Sequence, residues 1–214
     1  MKLELCPLRG RVTAVPEGKG IPSFYKKYIE TEGLYVTSSE RVSDEALLKA
    51  CDIISLMLAK RPDVKAHMVK RGCHVMVIGK DEETCDLPEF AHICNCEDSI
   101  KYWNWRARGF GGAPEDELSS SCGEENLLAL PQDKYVGENI LIHEFAHLIH
   151  TVGIVGVNPV SMTGWRLCGR MPSGKDCGKT RMRSATRKSI LRSVCSLSLT
   201  VTVMPIRLTG CITG

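Results

Sequence analysis

Apolar residues at Ala46, Leu47, Ala50, Ile53, Ile54, Met57 and Leu58 recur every three to four positions, and this period predicts an amphipathic helix that stops before Pro62. Ser43 precedes it as a candidate N-cap, and Asp44 and Glu45 fill the first turn, where the helix dipole favours negative charge. A second short helix is predicted over 63–71, closing at Gly72, and His74 to Ile78 follows as a buried strand that ends at Gly79. Residues 1–42 lack a regular pattern; Pro7, Pro16, Gly18, Gly20 and Pro22 punctuate them before an apolar and aromatic stretch through Tyr25, Tyr28 and Tyr35. From Lys80 to Gly123 the chain reads as loop. Asn126 to Leu130 is expected as a short strand stopped by Pro131, whose edge could hold an extended peptide, and Gly137 to Thr151 as a helix apolar on nearly every face and therefore buried. Helices and strands in this order predict an α+β domain, and no internal repeat is present.

With 43% apolar and 25% charged residues over 214 positions, the chain can bury a core of one or two domains. Its net charge of +3 conceals a split. Residues 1–159 hold eighteen Lys or Arg against twenty-four acids, whereas residues 160–214 hold ten bases against one acid, Asp176. A basic segment invites a nucleic-acid reading, but the last 55 residues lack Phe, Tyr and His and offer only Trp165 for stacking, so no nucleic-acid partner is expected. No run of 18 or more uninterrupted apolar residues occurs, and no membrane span is expected.

Eleven cysteines, seven of them before residue 160, predict disulfides and an oxidising compartment. Cys94-Asn95-Cys96 is a close pair without the second pair that a structural zinc site needs. The first ten residues, with Glu4 and Arg9, show no apolar core of a signal peptide, so an extracellular location is the expectation from cysteine content and a cytoplasmic one its alternative.

The chemistry-bearing motif is His143-Glu144-Phe145-Ala146-His147. On a helix, residues four apart project from one face, so both histidines can reach one zinc ion, and Glu144 is then placed to take a proton from a water at the metal. With six His and sixteen Glu in the chain, chance would produce such a motif about 0.01 times. The apolar setting of Ile140, Leu141, Ile142, Phe145, Leu148 and Ile149 would otherwise leave these polar groups unexplained in a core. His150, seven residues after His143, stands about 10.5 Å along a straight helix, too far to close the same tetrahedron, and is read as a supporting or structural histidine. His67, His74 and His92 have no ligand-like spacing. Glu124 and Glu125 read as solvated surface, and the Gly-rich stretch from Arg108 to Gly112 lacks the strand-before, helix-after context of a phosphate loop.

The segment from about Arg106 to Pro159, with Arg-Gly-Phe-Gly-Gly, Ser-Cys-Gly-Glu-Glu-Asn-Leu-Leu and Gly-Glu-Asn-Ile-Leu-Ile-His-Glu-Phe-Ala-His, resembles gluzincin-type zincin metallopeptidases, most of all the catalytic domain of anthrax lethal factor and its uncharacterised relatives. The resemblance implies a zincin-like α+β domain that hydrolyses peptide or protein substrates with zinc. It makes His143 and His147 the matching metal ligands and Glu144 the matching general base. In that family a third ligand, a Glu, follows some forty residues downstream, and a Tyr supports the oxyanion. Here no Glu follows Glu144, so residues 1–159 form an incomplete catalytic domain. Two rival readings accompany the peptidase: a degenerate or truncated homologue without activity, and a secreted disulfide-rich interaction module in which the helix is only core.

From about Val160 the composition changes abruptly to fourteen Ser or Thr and ten bases with no Glu, Phe or Tyr. Residues 160–214 are therefore expected to be a basic tail that is not natively folded, a frame-shifted translation of a zincin C-terminus. Read out of frame with permitted codons, the bases spanning Lys188 and Ser189 can encode a Glu at the place where the resemblance puts the third ligand, and those spanning Arg181 and Met182 a Tyr before it. Sequencing the transcript across codons 155–195 checks this: the expectation is a frame interruption, and an uninterrupted frame coding a protease-resistant tail would refute it.

Overall fold

A computed structural model describes residues 10–112 and 118–158. The tail beginning at Val160, with its proposed frame shift, lies outside the described residues. Along the described chain run β1 (Thr13–Ala14), β2 (Lys27–Thr31), β3 (Leu34–Ser38), α1 (Asp44–Leu58), α2 (Pro62–Arg71), β4 (His74–Ile78), α3 (Glu97–Arg106), β5 (Ser119–Gly123), α4 (Glu124–Leu127) and α5 (Ile140–Leu148). The fold is α+β, with a five-stranded mixed sheet in the order β1-β2-β3-β4-β5.

The segment expected to be irregular supplies three of those strands. Thr31 and Leu34 are paired across a two-residue turn, Glu32-Gly33, in which both residues have positive φ, 55° and 84°. This is the backbone that a tight hairpin with right-handed strand twist demands; glycine adopts it freely, and glutamate does so at a cost. On either side the chain alternates: Ile29, Leu34 and Val36 enter one buried cluster, while Tyr28 and Tyr35 stack on the other face with ring centroids 5.7 Å apart. Proline and glycine at 16–22 masked this period, because they govern the loop before the hairpin and not the hairpin itself.

The helices predicted from periodicity occur where expected. Helix α1 begins after Ser43 and buries Ala46, Leu47, Ala50 and Ile54. Ser43 does not cap it with its side chain: the hydroxyl is buried without a partner, and the Ser43 amide donates instead to Glu124 Oε1 at 2.9 Å. Helix α2 starts with Pro62, whose missing N–H costs nothing in a first turn, and ends at Gly72 in the left-handed conformation, φ 78°. These helices make the crossover that lets β3 and β4 run parallel. Val75 and Val77 of β4 face the helices, whereas Met76 and Ile78 face a second cluster with Tyr25, Leu87 and Phe90. Covering on both faces explains why β4 is apolar throughout its last four residues.

Three expectations for the second half are corrected. The region 80–123 is not all loop: α3 occupies Glu97–Arg106, and β5 is a fully buried strand of sequence Ser-Ser-Ser-Cys-Gly, parallel to β4. Serine and glycine have little intrinsic strand preference, and β5 forms because it completes the sheet beneath a helix. Asn126–Leu130 is not a strand, since Glu124–Leu127 is a helical turn. The helix expected over 137–151 is regular only over Ile140–Leu148 and then widens into a π-helical segment, Ile149–Ile154, followed by Val155–Val157. Taken together, Ile140–Val157 is long and apolar enough, with mean hydropathy 1.6, to cross a membrane by length and composition, which no uninterrupted apolar run in the sequence indicated. Of that segment 33% is buried: Ile140, Leu141, Phe145, Leu148 and Val152 enter the main cluster while Ile142 is 47% exposed, so the helix is buried along one side and not all round as expected.

Candidate active site

Helix α5 carries the motif, and its start is fixed by amides. Asn139, the N-cap, accepts from the Ile142 amide through Oδ1 at 2.9 Å. Asn126 Oδ1 accepts from the Ile140 amide at 2.7 Å, while Asn126 Nδ2 donates to Asp133 Oδ2 at 2.9 Å and to the Glu138 carbonyl at 2.8 Å. Asn126 is buried, so α5 cannot slide without breaking this buried set of bonds. The sequence offered no signal for it, since Asn126 follows two acids and reads as part of the same polar stretch.

The two histidines converge. His143 Nε2 and His147 Nε2 stand 3.3 Å apart, with ring planes at 66°. Two nitrogens each about 2.0–2.1 Å from one ion at the tetrahedral angle are separated by about 3.3–3.4 Å, so this spacing fits a shared zinc ion. At the other edge of its ring, His143 Nδ1 lies 3.2 Å from Glu138 Oε1. A proton on Nδ1, donated to that carboxylate, leaves the Nε2 lone pair directed at the shared point, the usual arrangement behind a metal-binding histidine. Glu138 was not singled out in the sequence, because it is five positions before His143, off the four-residue spacing of the motif; it precedes the helix, which starts at Ile140 and not at Gly137 as expected.

Glu144, next to His143 in the motif, is half-buried. Burial raises its carboxyl to about 7, Glu138 adding to the rise, while the positive charges of His143 and Arg106 oppose it. For His147 burial acts the other way, lowering its pKa and favouring the neutral imidazole, with repulsion from His143 and His150 adding to the effect. His150 enters the π-helical segment one turn on; among the described residues no third His, Cys, Asp or Glu joins the pair to form a metal-holding group. His67 and His74 lie in α2 and β4, and His92 accompanies the Glu89 carbonyl, its Nδ1 2.9 Å from that oxygen.

A glycine-rich strap closes over the motif. The Ser121 amide donates to the Phe110 carbonyl at 2.7 Å, and Gly111 bridges Ser120 in antiparallel register, so the strap extends the sheet beyond β5. A side chain at Gly111 would put its Cβ 2.0 Å from the Glu144 carbonyl oxygen, and one at Gly112, φ 61°, would meet the His147 carbonyl carbon at 2.5 Å. Only glycine permits this approach to the helix backbone. Arg108 anchors the strap: Nε donates to Glu125 Oε1 at 2.7 Å and Nη2 to Glu125 Oε2 at 2.9 Å, and Nη2 also reaches the Gly79 carbonyl at 3.0 Å. Arg108 Nη1 donates to the Glu82 carbonyl. Glu125 is therefore not solvated surface as expected. It is 5% exposed, and Glu124, 4% exposed, accepts from the Ser43 and Lys80 amides. Two adjacent acids look like surface in a sequence; here one holds a guanidinium and the other ties the loops after β3 and β4.

No protein-family model, curated protein or solved structure matches the chain.

Removing one partner of a buried ion pair leaves an uncompensated charge, at a cost of about 3–5 kcal/mol. Arg108→Met is therefore expected to lower unfolding stability by about that amount, whereas Arg61→Met, which breaks an exposed pair with Asp63, should cost less than about 1 kcal/mol. Urea unfolding of both variants checks the contrast, and equal losses would show that the strap does not depend on Arg108.

Proposed function

We propose that this chain carries the zinc-binding and proton-transferring half of a zinc-dependent peptide hydrolase, built on a zincin-like arrangement of an active-site helix under a mixed sheet. The observation that carries the proposal is the 3.3 Å separation of His143 Nε2 and His147 Nε2 on the helix that also carries the half-buried Glu144. His143 and His147 would hold the ion, and zinc held there supplies Lewis acidity to an oxygen brought to it. Glu138 keeps the His143 ring in the tautomer that presents Nε2. Glu144 accepts the proton of a water molecule attacking the peptide carbonyl and returns it to the departing amine. A carboxyl raised towards neutrality suits both halves of that transfer. The strap packs directly on the backbone of α5 at Glu144 and His147, which keeps that face of the helix covered.

One observation favours a second reading, a homologue that holds metal through two imidazoles and does not catalyse: among the described residues no third ligand joins the pair. The two readings separate on activity. With the purified chain loaded with zinc, cleavage of a pooled synthetic peptide library, read by mass spectrometry, is expected. Glu144→Gln should retain the zinc and lose about 10²–10⁴-fold in rate, because an amide accepts no proton. Undiminished cleavage by Glu144→Gln would remove Glu144 from the mechanism, and absence of cleavage by the zinc-loaded parent would favour the second reading.

A further inference from the structure

Two imidazoles leave a zinc site chemically unfinished. The ion takes four donors at the corners of a tetrahedron; closed sites draw all four from protein, and catalytic sites three. His143 and His147 supply two, with Nε2 atoms 3.3 Å apart, and among the described residues no third His, Cys, Asp or Glu joins them. The described cysteines are placed elsewhere: Cys85 and Cys94 form a disulfide, Cys51, Cys73 and Cys122 are buried in the main cluster, and Cys96 stands at the start of α3. Glu138 meets the other ring nitrogen of His143, Nδ1, at 3.2 Å.

The pair is placed where another molecule can meet it. His143 and His147 are half-buried, while the strap packs on the helix backbone at Glu144 and His147. Ile142, the neighbour of His143 on α5, is exposed, and so is Val136, two positions before the Glu138 that orients the His143 ring. These aliphatic side chains border a polar pair, and a second protein surface seated on the imidazoles would cover them.

We propose that a second copy of this chain completes the coordination, so that His143 and His147 of two copies hold one zinc ion between them; the inference rests on the zinc reading of the pair. In a tetrahedron any two of four imidazole nitrogens stand about 3.3–3.4 Å apart. The separation seen within one chain is thus the separation that each half of a four-imidazole site needs, and a twofold axis through the ion relates the halves. Each copy also brings the carboxylate of Glu138 to this face, so without the cation the two faces repel and the association depends on zinc. An ion with four protein donors keeps no position for water or a peptide, and the bridged form is closed. With zinc in excess each chain takes its own ion and the copies part. Zinc supply therefore switches the chain between a closed dimer and an open monomer.

Sedimentation velocity and native mass spectrometry across a zinc titration test the bridge, using the full chain stripped of metal and with its accessible thiols capped by N-ethylmaleimide. Monomer is expected without zinc. A dimer carrying a single zinc ion should peak near half an equivalent per chain and fall several-fold when zinc is in large excess. His143→Ala together with His147→Ala, with folding verified by circular dichroism, should abolish the dimer, whereas His92→Ala, at an exposed position, should leave it intact. Zinc bound to monomers alone at half an equivalent would overturn the bridge and leave the hydrolase reading standing, while a chain that binds no zinc would overturn both. A dimer that persists without zinc, or that survives the loss of both histidines, would also overturn the bridge.

Discussion

A guanidinium buried in a protein must be paired, and the pairing of Arg108 with Glu125 sets much of what surrounds the histidine motif. Its bidentate contact, at 2.7 and 2.9 Å, is supplemented by the carbonyls of Gly79 and Glu82, so one side chain joins the end of β4, the turn of α4 and the entry to the strap. With both ends of the fork satisfied, the strap has little freedom to lift. Gly109, Gly111 and Gly112 then lie on α5 where any side chain would collide with helix or sheet atoms. Such a pair contributes less to net stability than to choosing one arrangement, because desolvation offsets most of its attraction. Its consequence is positional: the backbone of Glu144 and His147 is covered, and the imidazoles and carboxylate are left as the polar surface of that helix.

What the sequence revealed and what it hid follow from the range of the interactions involved. Helices α1 and α2 and strand β4 were legible because period, proline and glycine act within a few residues. The pair His143 and His147 was legible for the same reason, since four residues on a helix is a local distance. Strand β5 was not: Ser119 to Gly123 becomes strand through pairing with residues 74–78, which no local pattern announces. Glu124 and Glu125 were misread because their partners, Ser43, Lys80 and Arg108, lie between 17 and 81 residues away. The hairpin of β2 and β3 was obscured by the glycines and prolines that precede it, although its own alternation was present. Among eleven cysteines, one bridge appears within the described residues, and three buried thiols serve as small apolar groups, which composition alone cannot distinguish from bridged ones.

The widening of α5 into a π-helical segment at Ile149–Ile154 begins two positions after His147. Such turns cost hydrogen-bond quality and are commonly found beside functional positions. Here the shift also serves packing: a Cβ at Gly153 would lie 2.6 Å from a Val64 methyl, and one at Gly156 2.0 Å from His67 Nε2. The helix therefore passes over α2 at close quarters. Regular geometry up to Leu148 preserves the four-residue relation on which the paired nitrogens depend.

Zinc, when bound, is expected to be held by His143 and His147 and not by any of the cysteines. X-ray absorption at the zinc edge of the zinc-loaded full chain tests it most directly, because imidazole nitrogens scatter at about 2.0–2.1 Å and thiolates at about 2.3 Å. A nitrogen and oxygen shell with the outer-ring pattern of two imidazoles is expected, reduced to one in His143→Ala. A shell of sulfur scatterers at about 2.3 Å, unchanged by His143→Ala, would contradict it.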